Sequence, residues 1–308
     1  MIGRKLPLHR GRVAVKRPLV EERDMTVCIA AICDLGEAQP TIVTCSDWRG
    51  SSIAGGSDTF LKQHNIGPKW VALGSGDSKE ISATMRTLKE YFLPNEARRA
   101  ENIDHTIKSA LAARRKQKCD IFIQGRYSIS YDEFLKNGKQ VLDSGLFRDA
   151  LAEISLIRVD VDLILAGFID GQPEVYKSDG NTDAWPVPHY AVVGEGEYLA
   201  TASLVERRLM CTAPLHVAAY VVYEAKRAAE RVNSVGPLTS LFVLRTPPDA
   251  RGALDPHLEA ILQLYDKYGI RTFPSADELK SAFPKVLEIA EILDDEQGTD
   301  RNGDHQAS

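Results

Sequence analysis

Residues 25–76 constrain the fold more than any other stretch of this chain. Val27–Asp34 (VCIAAICD) and Thr41–Asp47 (TIVTCSD) are short runs rich in β-branched residues, joined by a loop containing Gly and Pro. Such runs read as neighbouring antiparallel strands. Phe60–Ile66 and Trp70–Leu73 read as two more. Gly74-Ser75-Gly76 then precedes a helical pattern in which Ile81, Met85, Leu88 and Phe92 fall on one face. Asp77 or Ser78 is placed to cap this helix, which is predicted to end near Tyr91.

A second helix is predicted over roughly 102–118. Its basic end, Arg114-Arg115-Lys116-Gln117-Lys118, reads as a solvated helix end rather than a nucleic-acid patch. Residues 119–158 predict a strand plus one helix. Strand signals return at Asp162–Phe168, Glu174–Lys177 and Tyr190–Val193. Helical patterns follow over about 197–210 and 214–232, and Thr239–Leu244 reads as a last core strand. The order is strands, two helices, strands, two helices, strand. That order predicts an α+β fold, with two packed sheets and helix pairs outside, as a four-layer α/β/β/α sandwich.

After Pro247-Pro248 the composition changes. Amphipathic segments near 256–267 and 276–293, the second containing Pro284, predict a C-terminal helical extension. It is expected to pack on a neighbouring subunit or to lid the site. The division expected is a basic prefix over 1–25, a main domain over 26–246, the extension over 247–294 and a disordered tail over 295–308.

The chain is 44% hydrophobic and 26% charged, values of a soluble globular protein. Its net charge of −5 gives no reason to expect nucleic acid as a partner. Residues 1–24 stand apart, with seven Lys/Arg against three Asp/Glu. No run approaches the roughly 18 apolar residues of a membrane span. The prefix lacks an apolar h-region, so a secretory signal is not expected. A propeptide, a disordered arm and an upstream start codon stay open for it. The five cysteines show no CxxC spacing and read as reduced core residues of a cytoplasmic protein.

Chemistry concentrates at the strand ends. Met25-Thr26 opens the first strand, Asp47-Trp48-Arg49 closes the second, and Lys62 follows fifteen residues after Asp47. A threonine able to become a chain terminus, an Asp/Lys pair and a glycine turn are the parts of one reaction. In it a threonine hydroxyl attacks an amide, with the residue's own α-amine as base. Such an amine has a pKa of roughly 7.7–8.0, close to working pH. Nothing can then precede Thr26; removal of an initiator Met25 would meet that condition.

These residues resemble the proteasome β-subunit family of N-terminal nucleophile (Ntn) hydrolases. The resemblance rests on the Thr26 strand, Ser46-Asp47-Trp48-Arg49 with Gly50-Ser51, Lys62, and Gly74-Ser75-Gly76 leading into a helix. Leu165–Asp170 followed by Val175-Tyr176, and Tyr190–Gly196 followed by a helix, extend it to about residue 245. The Met-Thr-x-Cys start and the C-terminal extension look most like the Anbu branch of bacterial proteasome homologues.

The resemblance implies a threonine endopeptidase acting on peptides or unfolded protein, assembled as a homo-oligomeric ring or helical stack. It implies no cofactor and no metal; any ATP dependence would belong to a separate unfoldase. Thr26 would be the nucleophile, Lys62 the cation beside it, and Asp47 the partner that holds Lys62. Gly76 would give the oxyanion its N–H, and Ser234 would assist near the amine. Arg49 would brace the network, Gly74 would floor the first specificity pocket, leaving it room to be deep, and Ser51 would flank the substrate.

Two positions depart from the family pattern. Glu195 stands between Gly194 and Gly196 where serine is usual. Arg231 stands where the Asp of an Asp-x-x-Ser pattern belongs, with Glu230 adjacent. A non-catalytic ring or scaffold subunit of the same fold, and a non-proteolytic Ntn amidase, are the rival readings. Gly76-Asp77-Ser78 as an esterase nucleophile and Cys211 with His216 as a thiol pair both lack the context those sites need. His64, His105 and His189 have no metal-ligand spacing.

Overall fold

A computed structural model describes residues 26–48, 50–52, 55–57, 62–67, 69–93, 103–180, 183–245, 251–253, 255–269 and 272–282. The chain begins with strands β1 (Cys28–Cys33), β2 (Thr41–Asp47), β3 (Gly50–Ser52), β4 (Gly55–Ser57), β5 (Gln63–Gly67) and β6 (Trp70–Gly76). Four helices follow: α1 (Ser78–Phe92), α2 (Ile103–Tyr127), α3 (Tyr131–Val141) and α4 (Ser144–Leu156). Strands β7 (Val161–Ile169), β8 (Gln172–Ser178), β9 (Ala184–Pro186) and β10 (Tyr190–Val193) come next. Then come α5 (Glu197–Glu206), α6 (Leu215–Ala229), β11 (Thr239–Leu244), β12 (Arg251–Ala253), α7 (Asp255–Tyr268) and α8 (Ala276–Ala282).

The fold is mixed α+β with two antiparallel five-stranded sheets, ordered β10-β1-β2-β11-β12 and β5-β6-β7-β8-β9. A short β3-β4 hairpin stands apart. Every residue of β1 and β2 is buried, which explains why these strands read as continuous apolar runs rather than as alternations.

One cluster of buried side chains joins the sheets. Cys28, Ala30 and Ile32 of β1 and Ala191 and Val193 of β10 meet Val71, Leu73, Ile164 and Ala166 of β6 and β7. The opposite face of the first sheet, from Ile29, Ala31 and Val43, packs on α5 and α6. That of the second, from Ala72, Leu163 and Leu165, packs on α1 and α2. Alternate residues of one strand thus serve two cores, as a period of two requires.

The expected first helix is α1, with Asp77 as its cap: the Asp77 carboxylate accepts from Glu80 N at 2.8 Å. Residues 119–158 differ from expectation. No strand lies there; α2 continues to Tyr127, and α3 and α4 follow. Ser130 and Asp143 cap these helices, accepting from Glu133 N and Gly145 N. A separate small core of Cys119, Ile123, Phe134, Ala150 and Ile154 holds this lobe together.

The basic run is therefore inside α2, not at a helix end, and its cations are engaged. Arg114 forms a two-point contact with Glu80 at 2.9 and 3.0 Å. Arg115 donates to Ile157 O at 2.9 Å, and Lys116 and Lys118 pair with Asp132 and Asp160.

The described part of the C-terminal extension packs on its own chain. Ile261 and Leu279 join the core around α6, Tyr265 meets Tyr223 edge-on, and Phe273 meets Tyr220. Among the described residues no helix is long and apolar enough to cross a membrane. The prefix 1–25, Arg49, Pro284 and the tail 295–308 lie outside the described residues.

Candidate functional site

Strand register builds the site. Pairing Cys28 with Ser46 sets Val27 beside Asp47, the last residue of β2. Asp47 N donates to Val27 O at 3.3 Å, and Val27 N donates to Asp47 Oδ1 at 3.1 Å. Thr26, one residue earlier, then meets the Asp47 carboxylate directly, with its hydroxyl donating to Oδ1. On the second sheet, Gln63 pairs with Leu73, which places Lys62 opposite Gly74. Gly74 N donates to Lys62 O at 3.1 Å and anchors the lysine backbone.

The Lys62 ammonium crosses between the sheets. Its Nζ donates to Thr26 Oγ1 and, at 2.8 Å, to Asp47 Oδ1. Thr26, Asp47 and Lys62 are 1%, 0% and 2% exposed. A buried ion pair needs each partner, because removing one leaves an uncompensated charge at a cost of about 3–5 kcal/mol. Lys62 brings one positive charge to the Thr26 hydroxyl, and Asp47 keeps that charge in place.

The other face of Thr26 is closed by the turn after β10. Gly196 N donates to Thr26 O at 3.3 Å. Gly194 has φ of +103°, and a Cβ there would lie 2.2 Å from Thr26 O. Only glycine allows this approach. The same Cβ would be 3.0 Å from Ser75 Oγ, so Ser75, buried between its two glycines, lies against Gly194. Ser75 was given no role from the sequence; its place between two glycines beside Lys62's partner strand was the available signal.

Glu195 and Ser234 are brought together, with Ser234 Oγ donating to Glu195 Oε2 at 3.3 Å. Glu195 is exposed and Ser234 buried. Glu230 does not turn to this pair: it binds Lys226 at 2.5 Å and Arg227 at 3.1 Å. Gly76 ends β6 at φ of +130°, where a Cβ would strike Asp160 O at 2.5 Å. At Gly74 the space of a missing side chain is not left open: Ile81 and Met85 approach a Cβ there to 3.0 Å. Ser51 lies in β3, described by its backbone pairing with Gly56.

Two further residues escaped the sequence reading. Gly236 N donates to Asp47 Oδ2 at 3.0 Å, so both carboxylate oxygens are held. Lys226 is fully buried and donates to Pro237 O at 2.8 Å. A lysine on the same helix face as Val222 and Ala229 was its signal.

Cys28 also borders the site, with Sγ 3.6 Å from Gly74 O. Burial pushes its thiol up to about 12, partly opposed by the Lys62 charge, so it stays protonated and inert. Among the described residues no group of three or more His, Cys, Asp or Glu is arranged to hold a metal ion. A cavity of about 560 Å³ opens elsewhere, between Val187–Tyr190 and Leu204, Val205 and Arg208, and includes none of the site residues.

No protein-family model matches the chain, and no curated protein matches it. Among solved structures it is similar to the Anbu (Gly-1) mutant from Hyphomicrobium sp. strain MC1. Identity is 14% and the TM-score 0.49, over 92% of this chain and 100% of that one.

Proposed function

We propose that this protein is a proteasome-like threonine peptidase that cleaves peptide bonds with Thr26 as an N-terminal nucleophile. One observation carries the reading: Lys62 Nζ donates to Thr26 Oγ1 while its charge is balanced by Asp47 at 2.8 Å, with all three groups buried. A structural lysine gains little from a threonine hydroxyl. A nucleophile gains much, because a nearby cation favours the ionised oxygen and disfavours protonation of the neighbouring amine.

In this reading removal of residues 1–25 frees the Thr26 amine. The amine takes the hydroxyl proton as Oγ attacks the scissile carbonyl, then returns it to the leaving amine. The N–H of Gly76 stabilises the oxyanion, a contribution of about 3–4 kcal/mol to the barrier. Water then hydrolyses the ester and restores Thr26. Glu195 replaces the family's serine near the amine, Ser234 assists there, and Arg49 and Ser51 border the substrate. No cofactor enters any step.

The packing of two sheets with helices on their outer faces supports assignment to the four-layer sandwich of Ntn hydrolases. Residues 26–246 form the catalytic unit and 247–294 its extension. The substrate is peptide or unfolded protein, the protein works as a homo-oligomer in the cytoplasm, and a separate unfoldase feeds it. The scaffold alternative draws on the occupied position of Arg231 and on Glu230, which is spent on Lys226.

Intact mass and N-terminal sequencing of native protein test the reading, together with hydrolysis of a fluorogenic peptide. A Thr26 terminus with hydrolysis supports it. A retained prefix without hydrolysis selects the scaffold.

A further inference from the structure

Both oxygens of Asp47 are held, but by different means. Oδ1 takes Thr26, Val27 N and Lys62; among the described residues Oδ2 takes only the N–H of Gly236, at 3.0 Å. Gly236 belongs to the loop between α6 and β11. The next carbonyl, Pro237 O, accepts from Lys226 Nζ at 2.8 Å. Lys226 has no solvent exposure and is paired with Glu230 at 2.5 Å. Burying an ammonium is unfavourable unless its donors are used. Here two of the three donors are used, one of them on this loop.

We propose that Lys226 is a positioning residue for the Thr26–Asp47–Lys62 group, pinning Pro237 so that Gly236 N–H stays on Asp47 Oδ2. Its consequence for catalysis rests on the peptidase reading above; its consequence for Asp47 does not. The mechanism is geometric and electrostatic. Losing the Gly236 donor removes a hydrogen bond that favours the carboxylate. Losing the buried cation removes a second favourable charge. The groups facing this pair are Lys62 from the second sheet, Cys28 on β1, Cys45 on β2, and Glu230 and Arg227 on the α6 side.

Lys226→Met keeps the volume and removes the donor and charge. Glu230→Gln keeps an acceptor for Lys226 and removes the negative charge. One readout needs no activity: exchange of the Gly236 amide relative to the amides of β1 and β2. In Lys226→Met the Gly236 amide should exchange about tenfold faster while those strand amides keep their protection. In Glu230→Gln, where Lys226 keeps an acceptor and its bond to Pro237 O, Gly236 exchange should stay within about twofold. A lysine with only a structural role would loosen the strand amides along with Gly236.

The kcat of peptide hydrolysis should fall in Lys226→Met and hold in Glu230→Gln. Unchanged Gly236 exchange in Lys226→Met, or a rise shared equally by the β1 and β2 amides, overturns the proposal. If Lys226→Met does not fold, Lys226→Gln, which is shorter and uncharged, takes its place with the same two outcomes. Wild-type protein that hydrolyses nothing would sink the peptidase reading and leave the amide readout standing.

Discussion

At the ends of β1, β2 and β5 two charges and a hydroxyl sit where almost no solvent reaches. Around α2, α3 and α4 the reverse holds: Ile121 and Leu156 are 68% and 75% exposed, and Leu135, Val141 and Leu146 are also exposed. The lobe closes on a few side chains, with Phe134 against Phe147 at 5.0 Å and Gly138 close beneath Phe147. Its charges pair near the surface, as in Lys116–Asp132 and Arg126–Glu153. The site is held by strand register, backbone donors and a buried ion pair at once. The lobe is held by helix capping and one small core. Position is therefore over-determined at the site and loosely determined in the lobe.

The sharpest way to break this contrast is Thr26→Ala, made with the same mature terminus. Hydrolysis should fall by on the order of 10⁴-fold with assembly and fold intact, because a nucleophile is lost and little packing is. Peptide turnover and sedimentation check it; unchanged turnover would move the nucleophile elsewhere. Asp47→Ala strands the Lys62 charge and should lower stability by about 3–5 kcal/mol in chemical denaturation.

In the lobe, Phe134→Ala should cost about 3 kcal/mol by cavity formation. Amide exchange should rise in α3 and α4 while β1 and β2 stay protected and turnover changes less than about twofold. If β1 and β2 lose protection equally, the two regions are one cooperative unit and the contrast fails.

Alkali probes the core behind the site. Burial pushes the Cys28 and Cys45 thiols from 9.0 up to about 12. The folded state favours the protonated thiol, so this stabilisation is complete below pH 9 and is lost as pH rises toward 12. Stability should decline over that window, and in native protein at neutral pH alkylation should reach half-buried Cys211 before either of them. The smallest effect belongs to Lys116→Ala: the pair is more than half exposed, so chemical denaturation should show no measurable change in stability.

Legibility in the sequence followed the same divide. β2, β10 and β11 stand at the residues read as strands, and α1 matches its cap and apolar spacing. A short continuous apolar run fits a buried strand or a buried helix, and here the short length and β-branched residues favour the strand. Over 119–158 a strand and one helix were expected where the end of α2, α3 and α4 stand, because Gly125 and Gly138 interrupt the pattern and few apolar residues face inward. The short strands β9 and β12 carry no periodicity of their own; neighbouring edges recruit them. At the site, Thr26, Asp47 and Lys62 were legible because each closes or opens a strand. Ser75, Gly236 and Lys226 were not, since each matters through a loop whose path the local residues do not dictate.

Residue pattern alone determined the two sheets' main strands and put one threonine, one aspartate and one lysine at strand ends. Tertiary structure alone decided that these ends converge. Convergence depends on how the first sheet packs on the second, with β1 and β10 against β6 and β7. Register is set by which apolar faces meet across both sheets, and that is a property of the packed core rather than of any local segment.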